Sequence, residues 1–306
     1  MSETGLSDTT RRTADWTTHK ERGNRFWLGV MSTFSRLAGR RASHIALYAI
    51  ALYFLFFARK ARIASQTYLS RVLGRPASFG ERYRHILAFA TTVHDRLYLL
   101  ADRFEAFEID ESGVRALHDH YATGQGLLLF GAHLGSFEVL RTMARSHPAL
   151  RMSMAMYPEN AREINRTLSA INPHAMQDII PLGTLDAMLA IHDRLQEGAL
   201  VGVLADRAAG PDVYCSLPFL GREARFPCGP FRMAALLGHP VYFMTGVYLG
   251  ANRYRIIFER LDAPVAGLDR QATERTLMEH YVQTLERHCR AYPFNWFNFY
   301  DFWEEH

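Results

Sequence analysis

The chain has only three cysteines, Cys215, Cys228 and Cys289, and none stands in a Cys-x-x-Cys or Cys/His spacing. That pattern speaks against zinc, and the odd count reads as a reducing compartment with no structural metal. No Walker phosphate loop is present, and Gly124-Gln-Gly126 lacks the third glycine of a dinucleotide loop, so no cofactor is expected. Ser136 is not in a Gly-x-Ser-x-Gly elbow, because Glu138 occupies the final glycine position, which argues against a serine hydrolase. Low-complexity tracts and internal repeats are also missing. The first fifteen residues are polar and lack the apolar core of a secretory signal, so no cleaved leader is expected.

What is present begins with 306 residues, 48% hydrophobic and 22% charged, enough for one large α/β domain or two smaller ones. The net charge of +4 is unevenly spread: residues 1–75 hold 13 Lys or Arg against four acids, a net +9, leaving −5 for the remainder. Phe26, Trp27, Val30, Met31, Phe34 and Leu37 recur at near-helical spacing among arginines, as in a basic amphipathic helix. The run Ile45–Ala58 comes next, fourteen residues without a charge, between Arg40/Arg41 and Arg59/Lys60/Arg62. As a helix it reaches about 21 Å at 1.5 Å per residue, short of a hydrocarbon core of about 30 Å. It reads either as a helix in the membrane interface or as a buried core helix. Tyr48, Tyr53, Phe54 and Phe57 with basic flanks favour an anionic membrane surface over nucleic acid.

Residues 63–107 continue the helical pattern, broken by Gly74-Arg-Pro76. Strands are expected near 106–109, 127–130, 152–157, 179–182, 199–205, 241–248 and 254–258. Helices are expected near 111–121, 161–171, 185–195 and 231–237, with a last one bearing Leu277, Tyr281, Leu285 and Cys289. This alternation predicts an α/β fold with a mixed central sheet flanked by helices and a helical, membrane-associating N-terminal segment. The division is a polar tail over 1–20, a basic and apolar helical segment over 21–75, and a catalytic domain over 76–306. The aromatic tail Tyr292–Trp303 suits either a lipid-facing rim or the core.

The stretch Leu127–Leu140 reads as an active-site turn, or else as an ordinary surface or core His beside a Glu. An apolar strand empties into Gly131 and Gly135, and Val139, Leu140 and Met143 then begin a helical pattern. His133 therefore precedes a helix start and Glu138 lies in its first turn, where the carboxylate can orient the imidazole as a general base. Backbone N–H groups at Gly135 and Ser136 offer an oxyanion site. Asp206-Arg207 stands just past a strand end, where open α/β sheets place ligands. Arg162 and Arg166 lie four apart on one helical face, which reads as solvated surface before it reads as a binding face. No nucleophile accompanies the base, which points to direct transfer onto an acceptor.

His133-Leu-Gly-Ser-Phe-Glu138 resembles the His-four-residues-acid motif of the lysophospholipid acyltransferase superfamily, in the Glu-bearing form of the bacterial lipid A biosynthesis (late) acyltransferases. Later blocks agree in order: Asp206-Arg207, then Pro218-Phe-Leu-Gly221, then Phe226-Pro-x-Gly229. The resemblance spans roughly residues 20–300. It implies that His133 deprotonates an acceptor hydroxyl or amine, with Glu138 holding the ring. It implies acyl carrier protein or acyl-CoA as donor, a lipid or glycolipid as acceptor, and the cytoplasmic face of the inner membrane, peripheral or monotopic, as location. Arg207, Asp206, Arg162, Arg166, Phe219, Gly221 and Gly229 become candidates for substrate contact. Leu-Gly-Ser-Phe between the His and the Glu departs from the Phe-Gly-Asn-Trp of the lipid A enzymes. That departure, and a tail without their Arg-rich ending, resembles the branch of aryl polyene and other pigment clusters. A thioesterase or lipid hydrolase, and a non-catalytic lipid-binding protein, are the alternatives.

Overall fold

The computed structural model describes residues 39–40, 42–121, 123–140, 142–143, 150–158, 178–207, 213–262 and 269–303. The basic amphipathic stretch at 26–37, the helix expected over 161–171, and with it Arg162 and Arg166, lie outside the described residues. Contacts divide the chain into Met1–Ala49 and Ile50–His306, and the sheet and the strand-end site both belong to the second unit.

Helix α1 (Ala42–Phe57) bends by 94° into α2 (Arg59–Leu73), and no single described helix is long and apolar enough to cross a membrane. Arg62 donates to the carbonyls of Leu55 and Phe56, the last turn of α1, where a cation is favourable. Ala51 and Leu55 pack on Ile86, whereas Leu52, Tyr53, Phe54, Phe56 and Phe57 are exposed. Gly74, in the left-handed region at φ 67, ends α2. Ser78 and Glu81 then form a reciprocal capping box that opens α3 (Phe79–Leu100). The break expected at Gly74-Arg-Pro76 is therefore where the sequence places it.

The remainder is a seven-stranded mixed sheet flanked by helices, in the order β1-β9-β8-β2-β5-β3-β4. The strands are β1 (Glu108–Asp110), β2 (Leu127–Gly135), β3 (Met152–Met156), β4 (Asp178–Pro181), β5 (Leu200–Leu204), β8 (Val241–Gly250) and β9 (Arg253–Leu261). Within the sheet only β8 and β9 pair antiparallel. The remaining described α-helices are α4 (Arg115–Tyr121), α5 (Leu185–Gln196), α6 (Gly229–Leu237) and α7 (Arg270–Ala291). Central β2 alternates as a strand covered on both faces must: Leu128, Phe130, Ala132 and Leu134 join one core, Leu127 and Leu129 the other.

A separate two-stranded hairpin, β6 (Tyr214–Phe219) and β7 (Arg222–Pro227), holds the Pro218-Phe-Leu-Gly221 block. Leu220 and Gly221, both at positive φ, make the two-residue turn. Cys215 and Cys228 are paired as a disulfide at the base of this hairpin, leaving Cys289 as a buried free thiol. This corrects the reading of the cysteines as unpaired: the antiparallel register, not sequence spacing, brings the two together.

The aromatic tail is core at three of its rings, while Tyr300 is exposed. Trp296, Phe302 and Trp303 are buried, with Phe219 stacked on Trp303 and edge-on to Trp296. His85 of α3 ties this tail to α2, through Ser65 Oγ on Nδ1 at 2.9 Å and the Trp296 carbonyl on Nε2 at 2.8 Å. Burial lowers its pKa to about 4, the carbonyl bond opposing.

Candidate active site

Two strand ends build the site. In the parallel β2–β5 register Gly131 faces Leu204, and the Ala205 N–H donates to the Gly131 carbonyl at 2.9 Å. Continuing that register by two residues sets His133 beside Asp206. The carboxyl edge of a parallel sheet is where ligand sites form, because side chains leaving adjacent strand ends converge there.

The ring nitrogen Nδ1 of His133 lies 2.8 Å from Asp206 Oδ1, and the His133 backbone N–H donates to Oδ2 at 3.0 Å. Asp206 is wholly buried, while the His133 side chain is 24% exposed. An ionised carboxylate only accepts, so Nδ1 carries the proton and Nε2 is the ring nitrogen left as a base. Burial is the largest influence on the Asp206 carboxyl and pushes its pKa up. The His133 ring, the Arg207 charge and the His133 N–H together outweigh it and hold the group well below the usual carboxylate range. A third donor is Asn298 Nδ2, 2.9 Å from Oδ2, and the Asn298 Oδ1 in turn accepts from Arg207 at 3.1 Å.

Glu138 takes a different place from the one expected. It sits in the first turn of a 3-10 helix, Phe137–Leu140, as the helix-start reading requires. Its carboxylate, however, pairs with Arg96 Nε of α3 at 2.6 Å and accepts from Ser136 Oγ at 3.1 Å. The carboxylate that holds the His133 ring is Asp206, 73 residues away, because strand adjacency delivers it to Nδ1.

The turn also differs in its free donors. The Gly135 N–H donates to the Asn295 carbonyl and the Ser136 N–H to the Gly246 carbonyl, each at 2.8 Å. Both N–H groups assigned to an oxyanion are thus committed to holding the turn. Gly135 has φ +75, and a Cβ there would lie 2.2 Å from the Gly246 carbonyl oxygen. A Cβ on Gly246 would lie 2.5 Å from the Ser136 oxygen. Only two glycines allow β2 and β8 to cross this closely.

Of the residues proposed from the sequence, the structure brings together His133, Gly135, Ser136, Glu138, Asp206 and Arg207. Phe219 is wholly buried in the aromatic cluster, where its carbonyl accepts from Trp303 Nε1. Gly221 is in the hairpin turn and Gly229 opens α6. Of these three, Phe219 braces the tail. Asn295, Asn298 and Arg96 are additions. The Asn295 carbonyl holds Gly135, the Phe297 N–H donates to the His133 carbonyl at 2.7 Å, and Leu134 pairs with Trp296. Asparagines inside an aromatic run were the available signal, since a buried amide is kept only where it has partners.

These blocks stand in one continuous match. Residues 14–305 fit the family described as bacterial lipid A biosynthesis acyltransferase. The chain belongs to that family. Among curated proteins nothing matches it. A member of the bacterial lipid A biosynthesis acyltransferases is a lipid acyltransferase, and an acyl donor and a lipid acceptor are its substrates in general terms. A strand-end imidazole with one nitrogen committed and one available suits acyl transfer, which needs a base at the acceptor.

Proposed function

We propose that the protein transfers a fatty acyl chain from an acyl thioester to a hydroxyl or amine of a lipid, glycolipid or pigment acceptor, with His133 as base. The observation that carries this reading is the contact of Nδ1 of partly exposed His133 with fully buried Asp206. Nε2 takes the acceptor's proton as the acceptor oxygen or nitrogen attacks the thioester carbonyl. The tetrahedral intermediate then collapses, the C–S bond breaks, and the imidazolium returns the proton to the leaving thiolate. Asp206 fixes the tautomer and stabilises the imidazolium, the task that sequence spacing suggests for Glu138. With Gly135 and Ser136 committed, the oxyanion falls to the leading N–H groups of the 3-10 turn, which have no acceptor within it by position.

Acyl carrier protein is the donor this reading favours, its acidic surface suiting exposed arginines. Arg207, exposed beside the base, suits a phosphate on donor or acceptor. Location at the cytoplasmic face of the inner membrane rests on the exposed aromatics of α1 and their basic neighbours.

The test compares a deletion strain carrying wild type, His133→Ala or Asp206→Asn. Acylated lipids and pigments measured by mass spectrometry should fall about 10²- to 10⁴-fold in both variants, the usual worth of a positioned base. Retained product in a stably folded His133→Ala protein would sink the assignment. Purified protein given acyl carrier protein thioester should release little free fatty acid without acceptor membranes; rapid acceptor-independent release would instead make it a hydrolase.

A further inference from the structure

We infer that Asn298 is a positioning residue that locks the His133–Asp206 pair and ties Arg207 to it as one unit, an assignment that rests on the acyl-transfer reading of the site. The Asn298 side chain is almost wholly buried, at 1% exposure. Its Nδ2 donates to Asp206 Oδ2 at 2.9 Å and its Oδ1 accepts from Arg207 at 3.1 Å. Its orientation is fixed by chemistry: a carboxylate can only accept and a guanidinium can only donate, so one amide serves both in a single flip state.

Asp206 has two oxygens and both are used. Oδ1 faces the ring nitrogen, and Oδ2 accepts from the His133 N–H and from Asn298. The His133 bonds come from the strand that must be positioned; the Asn298 bond comes from the tail. It therefore sets the carboxylate plane independently of the ring. The tail is itself pinned to β2 by the Gly135–Asn295 and His133–Phe297 backbone bonds, so Asn298 cannot drift without moving the strand. At the other end the amide holds the exposed Arg207 guanidinium, whose central carbon lies 5.9 Å from the centre of the Tyr300 ring. The base and the cation suited to an anionic substrate group thus share one hydrogen-bonded chain.

Substitution separates positioning from bulk. Asn298→Leu removes both bonds while keeping the number and branching of side-chain heavy atoms, leaving a buried carboxylate with one donor fewer. Asn298→Asp sets two carboxyls against each other, and such a pair shares one proton because both cannot ionise at close range. With that proton present, the introduced carboxyl can still donate to Asp206 and accept from Arg207. As pH rises the proton leaves and repulsion replaces the bond. The other groups facing Asp206 are His133, Arg207, Tyr281, Cys289 and Tyr300, and burial first raises Tyr281, Cys289 and Tyr300, so these three stay neutral across the working range.

The experiment measures acyl transfer from labelled lauroyl–acyl carrier protein to membranes of the deletion strain, across mildly acidic to mildly alkaline pH, with thermal melts of each variant. Asn298→Leu should lower kcat about 10- to 100-fold, the scale of a misplacement of order 1 Å at a reacting group. Asn298→Asp should approach wild type at the acidic end and lose activity through a new descending limb that wild type lacks. A purely structural role would lower the melting temperature of both variants without that limb. Asn298→Leu within about 2-fold of wild type, or an Asn298→Asp profile parallel to wild type, overturns the assignment, since a positioned group is worth more than that. His133→Ala run alongside separates the two failures: full transfer there removes the base and the positioning role together, whereas loss there with wild-type behaviour in both Asn298 variants removes the positioning role alone.

Discussion

At His133 one imidazole nitrogen is spoken for by Asp206, and the acid five residues along the chain is engaged elsewhere. Glu138 lies between Ser136 and Arg96, so its effect on transfer should run through Arg96 rather than through the ring. Glu138→Gln and Arg96→Gln should therefore lower kcat to similar extents, and the double variant should lose little more than either alone, as partners in one ion pair do. Kinetics on deletion-strain membranes check this. An inactive Glu138→Gln beside a wild-type-like Arg96→Gln would return Glu138 to a direct role at the reacting atoms. At this scale the sequence already pointed to His133, Asp206 and Arg207, through a strand-end position and block order. It could not pair His133 with Asp206, because a 73-residue separation becomes a 2.8 Å contact only once β2 and β5 are neighbours.

Among the elements, β2 and β8 make one of the closest backbone approaches, Gly135 beside Gly246. Gly246→Ala would drive a Cβ to 2.5 Å from the Ser136 oxygen and to 3.1 Å from the Val139 Cβ, and neither backbone can retreat without shifting the turn that follows His133. The expected cost is about 1–3 kcal/mol, as for overpacking a filled core, with activity falling alongside. Gly80→Ala is the control, since a Cβ there meets nothing within 4 Å and its helical position favours alanine. Thermal denaturation of both checks the contrast; an unchanged melting temperature in Gly246→Ala would contradict the crossing. Strand and helix positions were largely legible from period and punctuation. The β6–β7 hairpin was not, because Pro218 and Gly221 are strand-breaking residues, although Pro218 lies within β6 and Gly221 in the two-residue turn. The disulfide went unseen for the same reason.

For the whole molecule, Phe56 and Phe57 of α1 are exposed, Phe56 lies 6.0 Å from the exposed Phe79 that begins α3, and Arg59 and Lys60 follow directly in the chain. A patch of this kind marks an interaction surface, and the basic neighbours suit anionic lipid. Replacing Phe56 and Phe57 with Ser should release the protein from sedimentation with phosphatidylglycerol-containing liposomes and leave its melting temperature unchanged; undiminished sedimentation would rule that surface out as the membrane contact. Sequence by itself determined the α/β class, the basic and greasy N-terminal character, the strand-to-turn placement of His133 and the acyltransferase family. All of these come from local periodicity and from residues close together in the chain. Tertiary structure alone decided that Asp206 meets the His133 ring, that Asn298 closes the chain to Arg207, that Glu138 belongs to Arg96, and that Trp296, Phe302 and Trp303 of the aromatic tail are core. Each of those depends on which strands and segments become neighbours, and neighbourhood is settled by burying both faces of one sheet at once rather than by any stretch read alone.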